Sequence, residues 1–286
     1  MKLVNAVYVP LDRSDAAKAV IPIASALADA LGATLCFVHA MEHAGAADDL
    51  LEYLQLQRKQ LHHAILEPLE GEPAEMISKT IAEHPRSMVV MPVRSGENAG
   101  SAGLGPVSLQ VLKNARCPVV LVPHGGEWEN WKPMRMLLPQ DSTAACAAAV
   151  APAAEIADHS KASLTLLHVP SYSGKPFSPE QGALPLPRYQ DHQPQHALVA
   201  WREEFIERLR EMGHVTENTK LKLILGMNDP ADEILAWDKK LAPDLIVLPW
   251  YGDFEHASVL KKVLLETRSP VMVIPIAEHA KDEKAA

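Results

Sequence analysis

Short apolar runs alternate along the chain with longer stretches in which apolar residues recur every three or four positions. The runs have the length of buried strands, and the stretches have the period of helices with one apolar face. This alternation predicts an α/β protein in which helices connect parallel strands. In the first half we predict strands near 4–9, 34–39, 62–69, 87–92 and 118–122, and helices near 15–31, 46–60, 73–84 and 105–115.

The second half repeats this order, with strands predicted near 134–138, 163–169, 220–225, 244–248 and 270–274 and a helix over 144–158. A spacing of 129 residues separates Asp12 from Asp141 and also His39 from His168. A repeat of this length indicates two copies of one domain. We therefore predict domains over 1–124 and 133–277. The second contains a Pro-rich insertion at 170–194, which forms either a lid or a packing arm.

Several helix ends are marked by their residue types. Ser14 and Ser142 are suited to cap helices at their first turn, and Gly32 is suited to end the first helix in the left-handed conformation. Pro73 and Pro230 each stand in the first turn of a predicted helix with acidic residues beside them, which suits the positive end of the helix dipole.

Charge and cysteine content limit the classes of function. The 286 residues carry a formal net charge of −9, which disfavours a nucleic-acid surface because phosphate binding needs a concentrated basic face. The three cysteines lie in apolar stretches and predict buried free thiols in a reducing compartment. Asp12 interrupts the first apolar run, so we expect no secretory signal, and no stretch has the length of a membrane span. We expect a soluble, cytoplasmic protein.

Candidate ligand-binding residues follow the strands, because ligands of open parallel sheets bind beyond the carboxyl ends of the strands. Asp12 and Asp141 could accept hydrogen bonds from a ribose, or could simply hold a loop by capping amides. After the fourth strand of the first half, residues 94–106 hold four glycines and then a helix, which suits a backbone cradle for an anion. The matching stretch of the second half, 249–258, is shorter, has one glycine and carries two carboxylates, which repel phosphate.

The chain resembles the universal stress protein family in its tandem form. The resemblance rests on the two Pro-x-Asp turns, the strands that end in His39 and His168, the Pro-Ala helix starts and the two Pro-Val final strands. It implies two tandem doubly wound α/β domains, each with a five-stranded parallel sheet of order 3-2-1-4-5 flanked by helices. It also implies pairing through the last strands, which would bring Val119–Val122 beside Val271–Ile274 as an internal pseudo-dimer.

The resemblance further implies nucleotide-binding positions, since many family members bind ATP through a glycine motif. Candidates in the first domain are Asp12, Ala40, Gly96 and Gly105, although Pro106 replaces the hydroxyl residue that follows the last glycine of the motif. Their second-domain equivalents are degenerate and comprise Asp141, Val169, Gly252 and Ser258. ATP or AMP would accordingly bind in the first domain alone.

No enzyme signature is present, because the sequence has neither a Gly-x-Ser-x-Gly elbow nor a Walker loop. A metal site is not expected either, because the adjacent His62 and His63 would point in opposite directions on a strand. Three hypotheses remain. The first is a non-catalytic stress-response or regulatory protein that acts through an unknown protein partner and oligomerisation, possibly as a homodimer. The second is an ATP- or AMP-binding switch. In the third, the arm at 170–194 helps to cover a small apolar ligand in the second domain.

Overall fold

The structure is a computed structural model that describes residues 4–41, 47–56, 63–93, 104–141, 146, 149–169, 203–208, 210–211, 215–217, 219–226, 228–250 and 252–276. Its strands are β1 (Ala6–Pro10), β2 (Thr34–Met41), β3 (Ile65–Glu70), β4 (Ser87–Pro92), β5 (Val119–Val122), β6 (Arg135–Gln140), β7 (Ser163–His168), β8 (Lys220–Leu225), β9 (Leu245–Trp250) and β10 (Val271–Pro275). Its helices are α1 (Asp15–Ala19), α2 (Ile21–Leu31), α3 (Ala47–Leu54), α4 (Pro73–Glu83), α5 (Pro106–Asn114), α6 (Val150–Ser160), α7 (Pro230–Leu241) and α8 (Ser258–Glu266).

The ten strands form one sheet of order β3-β2-β1-β4-β5-β10-β9-β6-β7-β8. Within each half the strands pair in parallel and follow the order 3-2-1-4-5, so the predicted fold is confirmed. Strands β5 and β10 pair antiparallel, with Val120 opposite Met272 at the centre of the pairing. Each half therefore covers the edge strand of the other, which removes two exposed edges from solvent.

The packed interior also crosses the boundary between the halves. One cluster of buried residues covers one face of the sheet and includes Phe37 from the first half and Leu166 from the second. A second cluster covers the opposite face and extends from Tyr8 to Val273. Helix α2 packs against helix α6, its counterpart in the second half. In the segment that joins the halves, the Trp131 indole donates a hydrogen bond of 3.0 Å to the Asp244 carbonyl. Both halves thus share their core.

The prediction of one continuous helix over 15–31 is wrong in one respect, because the structure divides this segment at Val20 into α1 and α2. Pro22 stands in the first turn of α2 and explains the break. A proline has no amide to donate to the carbonyl four residues earlier, and its ring crowds that carbonyl, which here belongs to Lys18. The Lys18 carbonyl accepts the Val20 amide instead. The predicted end of the helix is confirmed, since Gly32 adopts a left-handed φ of 57°.

Other boundaries differ from prediction by local geometry. His63 has a φ of 67° in a turn and is not in a strand, because β3 begins only at Ile65. The helix predicted over 46–60 ends at Leu54, and Gln55 leaves it with a φ of 54°. The predicted helix 144–158 ends later, at the end of α6; Cys146 is also helical, and residues 142–145 and 147–148 lie outside the described residues. The insertion 170–194 and the predicted cap Ser142 lie outside the described residues. Among the helices that the structure describes, none is long and apolar enough to cross a membrane.

Candidate functional site

Both halves bring the ends of their first two strands together at the carboxyl edge of the sheet. In the first half Pro10 of β1 pairs with Val38 of β2, and in the second half Gln140 of β6 pairs with His168 of β7. Asp12 lies two residues past the first of these pairs, and Asp141 lies directly after Gln140. The parallel pairing therefore places both predicted aspartates at the edge where ligands of such sheets bind.

Asp12 holds the turn that starts the first helix. Its Oδ1 accepts a hydrogen bond of 2.9 Å from the Ser14 amide and another from the Ser14 hydroxyl. The Ser14 Oγ in turn accepts the Ala17 amide at 3.2 Å, so the predicted cap is confirmed. The sequence allowed Asp12 either to bind a ribose or to cap amides of its loop. These contacts correspond to the second role.

A cation and two aromatic rings in contact follow Asp12 at this edge of the sheet. The buried His39 donates from Nδ1 to the Leu11 carbonyl at 2.7 Å, and its ring centroid lies 5.3 Å from that of Tyr53. The Arg13 guanidinium lies 5.3 Å from the centroid of the Tyr53 ring. The first domain thus presents a positive charge next to its candidate site, within the range of a cation–π contact.

The other first-domain candidates are only partly placed by the structure. Ala40 lies half-buried near the end of β2, and Gly105 precedes α5 as its N-cap without a side-chain capping bond. Pro106 occupies the first turn of α5, where it supplies no amide to a ligand. Gly96 lies outside the described residues.

The second domain contains a cavity of about 490 Å³ at the equivalent edge, within the usual range for small-molecule sites. Asp141, Val169 and Ser258 line it, whereas Gly252 does not line it and forms a turn with a φ of 79°. Most of the remaining lining is apolar and comes from β6, β9, α7, α8 and residues next to them: Pro139, Cys146, Pro230, Ile234, Leu248, Pro249, Trp250, Ala257, Val259 and Leu260. The cavity thus combines three predicted positions with an apolar wall.

Gln140 also lines this cavity, and the sequence-based reasoning missed it. Its side chain is buried at 2 % exposure, and its Nε2 donates a hydrogen bond of 3.0 Å to the Cys146 carbonyl. Among the described residues, none donates a hydrogen bond to its Oε1. The repeat spacing of 129 pairs Gln140 with Leu11, so a comparison of the two copies at this position could have revealed it.

The rim of the cavity is acidic. Asp253 accepts the His256 Nδ1–H at 2.6 Å and the Glu255 amide at 3.0 Å. The hydrogen bond from His256 lowers the pKa of the Asp253 carboxyl, which is therefore ionised at neutral pH. Asp141 adds a second carboxylate, and the described lining includes neither Lys nor Arg. A phosphate would find no cation in this lining.

His168 lies fully buried at the end of β7, where it pairs with Gln140 of β6. Burial lowers the pKa of its imidazole to about 4, against the opposing influence of the Asp141 carboxylate and of a hydrogen bond with the Gln140 backbone. Its ring centroid lies 5.3 Å from that of the buried Phe205. This pair corresponds to His39 and Tyr53 of the first domain. The ring beside this histidine is therefore more apolar in the second domain than in the first.

Trp250 connects the cavity to the first domain. Its side chain is buried, lines the cavity, and donates from the indole nitrogen to the Leu112 carbonyl of α5 at 2.9 Å. Its ring also lies 6.2 Å from that of Phe254. One wall of the second-domain cavity is thus fixed to a helix of the other domain.

Within the described ranges, no group of three or more His, Cys, Asp or Glu side chains could hold a metal ion.

The tandem fold matches a known family. The family model described as "Universal stress protein family" matches this chain twice, over residues 4–123 and 133–275. The chain belongs to the universal stress protein family, and its two domains are tandem copies of the family fold.

Solved structures with the same architecture cover nearly the whole chain. A universal stress protein from Archaeoglobus fulgidus is 18% identical over 97% of this chain and 99% of its own, with a TM-score of 0.69. A putative universal stress protein from Pseudomonas aeruginosa is 16% identical over 99% of this chain and 98% of its own, with a TM-score of 0.61. A functionally unknown protein from the same species is 16% identical over 99% and 97%, with a TM-score of 0.60. At these identities the likeness shows the fold alone. A search of curated proteins finds no significant match.

Proposed function

We propose that this chain is a non-catalytic regulatory protein of the universal stress type, whose two domains act together as an internal pseudo-dimer. The observation that carries the proposal is the antiparallel pairing of β5 with β10, which joins two complete domains into one sheet with shared cores. The protein acts through contacts with a protein partner and does not turn over a substrate.

The side chains at the carboxyl edge support a role without catalysis. Asp253 and His256 form the orienting half of a Ser-His-Asp arrangement, and Ser258 follows two residues later. Among the described hydrogen bonds, however, none joins the Ser258 hydroxyl to the His256 ring, and the His256 side chain is 84% exposed. A nucleophile needs a base within hydrogen-bonding reach, so this group lacks the contact that would activate the serine.

Calorimetry tests the pseudo-dimer. Because the two domains share a sheet and both cores, we expect a single thermal transition in which the calorimetric and van't Hoff enthalpies agree. Two separate transitions would show that each domain is stable alone, and would overturn the pseudo-dimer.

An assay of turnover tests the absence of catalysis. We expect hydrolysis of p-nitrophenyl acetate and of ATP at the rate of buffer alone. Hydrolysis of the ester that disappears in Ser258→Ala but persists in a matched surface variant, Ser163→Ala, would assign an enzyme activity to the group and refute the proposal.

The competing candidate is a nucleotide switch, with ATP or AMP bound by the first domain only. Arg13 favours it, because this cation lies beside Asp12 at the carboxyl edge of the sheet. Heating the purified protein in acid would release any bound nucleotide for chromatography. An empty protein whose melting temperature is unaffected by millimolar ATP or AMP would exclude the switch. A rise in melting temperature that is lost in Asp12→Ala would favour it.

A further inference from the structure

We propose that the second-domain cavity binds a small apolar amine, whose ammonium group is attracted by the negative charge of the lining while its apolar body packs against the walls. The proposal concerns the second domain, so it does not depend on whether the first domain holds a nucleotide. Three observations carry it: the apolar walls of the cavity, the sign of its charge, and the absence from its sequence position of a cation that the first domain has.

The walls of the cavity suit the apolar body of such a ligand. Ile234, Leu248 and Leu260 line a space of about 490 Å³ together with the buried Trp250. Apolar ligand surface that leaves water and packs against these side chains supplies the affinity. The Trp250 indole is held by its hydrogen bond of 2.9 Å to the Leu112 carbonyl. This wall is therefore formed before the ligand arrives, and binding does not have to order it.

The charged groups of the described lining make it negative. Asp141 is half-buried, and the exposed Asp253 lies at the rim, where it accepts the His256 Nδ1–H at 2.6 Å. A proton on His256 would cancel only the charge of Asp253, and Asp141 would keep the lining negative. The lining that the structure describes contains neither Lys nor Arg to reverse this sign.

Two helices also begin at the cavity, and their amide ends do not change the sign. The end of α8, beside Ser258, has no side-chain cap and adds about half a positive charge, which is less than one carboxylate carries. The end of α7, beside Pro230, is capped by Asp229, whose Oδ1 accepts the Ala231 amide at 3.0 Å. The carboxylates therefore determine the charge preference of the site.

This preference acts through space and requires no particular contact. Charges interact over about 10 Å at 0.1 M salt, and they are screened less where protein excludes ions. A space of 490 Å³ is about that wide, so an ammonium group anywhere inside it is attracted by both Asp141 and Asp253. A ligand phosphate or carboxylate is repelled from the same positions.

The two copies differ in the residue that follows the aspartate. In the first domain Arg13 follows Asp12 and presents a guanidinium at the carboxyl edge. At the matching position of the second domain, Ser142 follows Asp141 and carries no charge. The short loop after β9 adds the carboxylate of Asp253. The first domain thus has a cation that suits an anionic ligand, whereas the second domain has changed toward a cationic one.

Three indole compounds that differ in the end of one side chain test the charge preference. Tryptamine carries an ammonium, tryptophol a hydroxyl and indole-3-acetate a carboxylate. Isothermal titration of the full chain should show tryptamine at one site, tryptophol weaker by about 5-fold and indole-3-acetate weaker again. Raising the salt concentration about tenfold should remove most of the difference between tryptamine and tryptophol. Tryptamine that binds no tighter than tryptophol, or not at all at millimolar concentration, would overturn the proposal.

Isosteric variants test the two carboxylates. Asp141→Asn and Asp253→Asn each remove one charge and keep the size of the side chain. In the double variant we expect tryptamine and tryptophol to bind equally, with tryptophol within about 2-fold of its wild-type affinity, which also shows that the cavity is intact. The control Asp15→Asn removes the same charge at the start of α1, at the opposite edge of the sheet, and should leave both affinities unchanged. A tryptamine advantage that persists in the double variant would refute the assignment.

A further variant tests whether the ligand occupies the cavity. Ala257→Trp fills the space with an indole ring and should abolish binding of tryptamine and tryptophol, whereas Ala236→Trp, on the exposed side of α7, should bind both. Tryptamine binding that survives Ala257→Trp would place the ligand elsewhere and refute the proposal. Millimolar AMP should not displace tryptamine. Displacement that persists in Asp12→Ala would show that the second-domain cavity accepts an anionic nucleotide, and would also overturn the proposal.

Discussion

The buried His168 predicts a specific dependence of stability on pH. Burial lowers the pKa of its imidazole from the ordinary value of 6.5 to about 4. Below the ordinary pKa the unfolded chain binds a proton at this residue, whereas the folded chain stays neutral there until the pH reaches about 4. The free energy of unfolding must therefore decrease as the pH is lowered across this window, because the unfolded state binds more protons than the folded one. Above pH 6.5 the residue contributes no pH dependence.

The size of the effect follows from the shift. At about 1.4 kcal/mol for each pKa unit, the free energy of unfolding should decrease by about 3 kcal/mol between pH 6.5 and pH 4 through this residue alone. The assay is urea unfolding, followed by far-UV circular dichroism at several pH values between about 7 and 4. Carboxylates that titrate near pH 4 also contribute, so the comparison of variants decides the result.

His168→Gln removes the titrating group. We expect this variant to be less stable than the wild type at neutral pH, because it loses the contact with Phe205. Between pH 6.5 and pH 4 it should lose less stability than the wild type, and the difference should reach about 3 kcal/mol. The exposed His124→Gln serves as the control and should follow the wild-type curve. If His168→Gln showed the same pH dependence as the wild type, the reasoning from burial would be wrong.

Three further predictions concern buried polar groups. Trp250→Phe removes the hydrogen bond to the Leu112 carbonyl and should lower the free energy of unfolding in urea by about 1 kcal/mol, and an unchanged value would contradict the bond. Asp238→Asn replaces one of two buried carboxylate oxygens that accept the Thr267 and Ser269 hydroxyls, and should cost about 1–2 kcal/mol in the same assay. Asp232→Asn on the same helix removes only an exposed ion pair with Lys262 and should cost less than Asp238→Asn. Burial raises the pKa of the Cys117 thiol to about 11, so a thiol reagent should label it far more slowly in folded than in denatured protein, and equal rates would refute this.

Much of the fold could be predicted because buried parallel strands and their connecting helices have distinct periods. The strand predicted over 220–225 has the boundaries found in the structure, since polar and apolar residues alternate over 220–223 and an apolar pair completes it. The single helix predicted over 15–31 was wrong because its apolar period continues through Val20. The break results from one missing amide at Pro22, which leaves no trace in the hydrophobic pattern.

The candidate site was harder to predict than the fold. The repeat located Asp141, Val169 and Ser258, because the ends of equivalent strands and helices meet at one edge of the sheet. Gln140 was missed because a polar residue at the end of an apolar run indicates a strand end and says nothing of burial. Trp250 was missed because its partner, the Leu112 carbonyl, lies in the other domain, and local pattern carries no information on such distant contacts.

The antiparallel junction of β5 and β10 has a consequence for how the two sites can change over generations. When two identical chains associate edge to edge, every substitution enters both halves at once, so a change that benefits one site is imposed on the other. In a fused chain each half mutates alone. Leu11 and Gln140 can then occupy matching positions of the two domains. Because both domains belong to one chain, every molecule contains one of each, and their association does not depend on protein concentration.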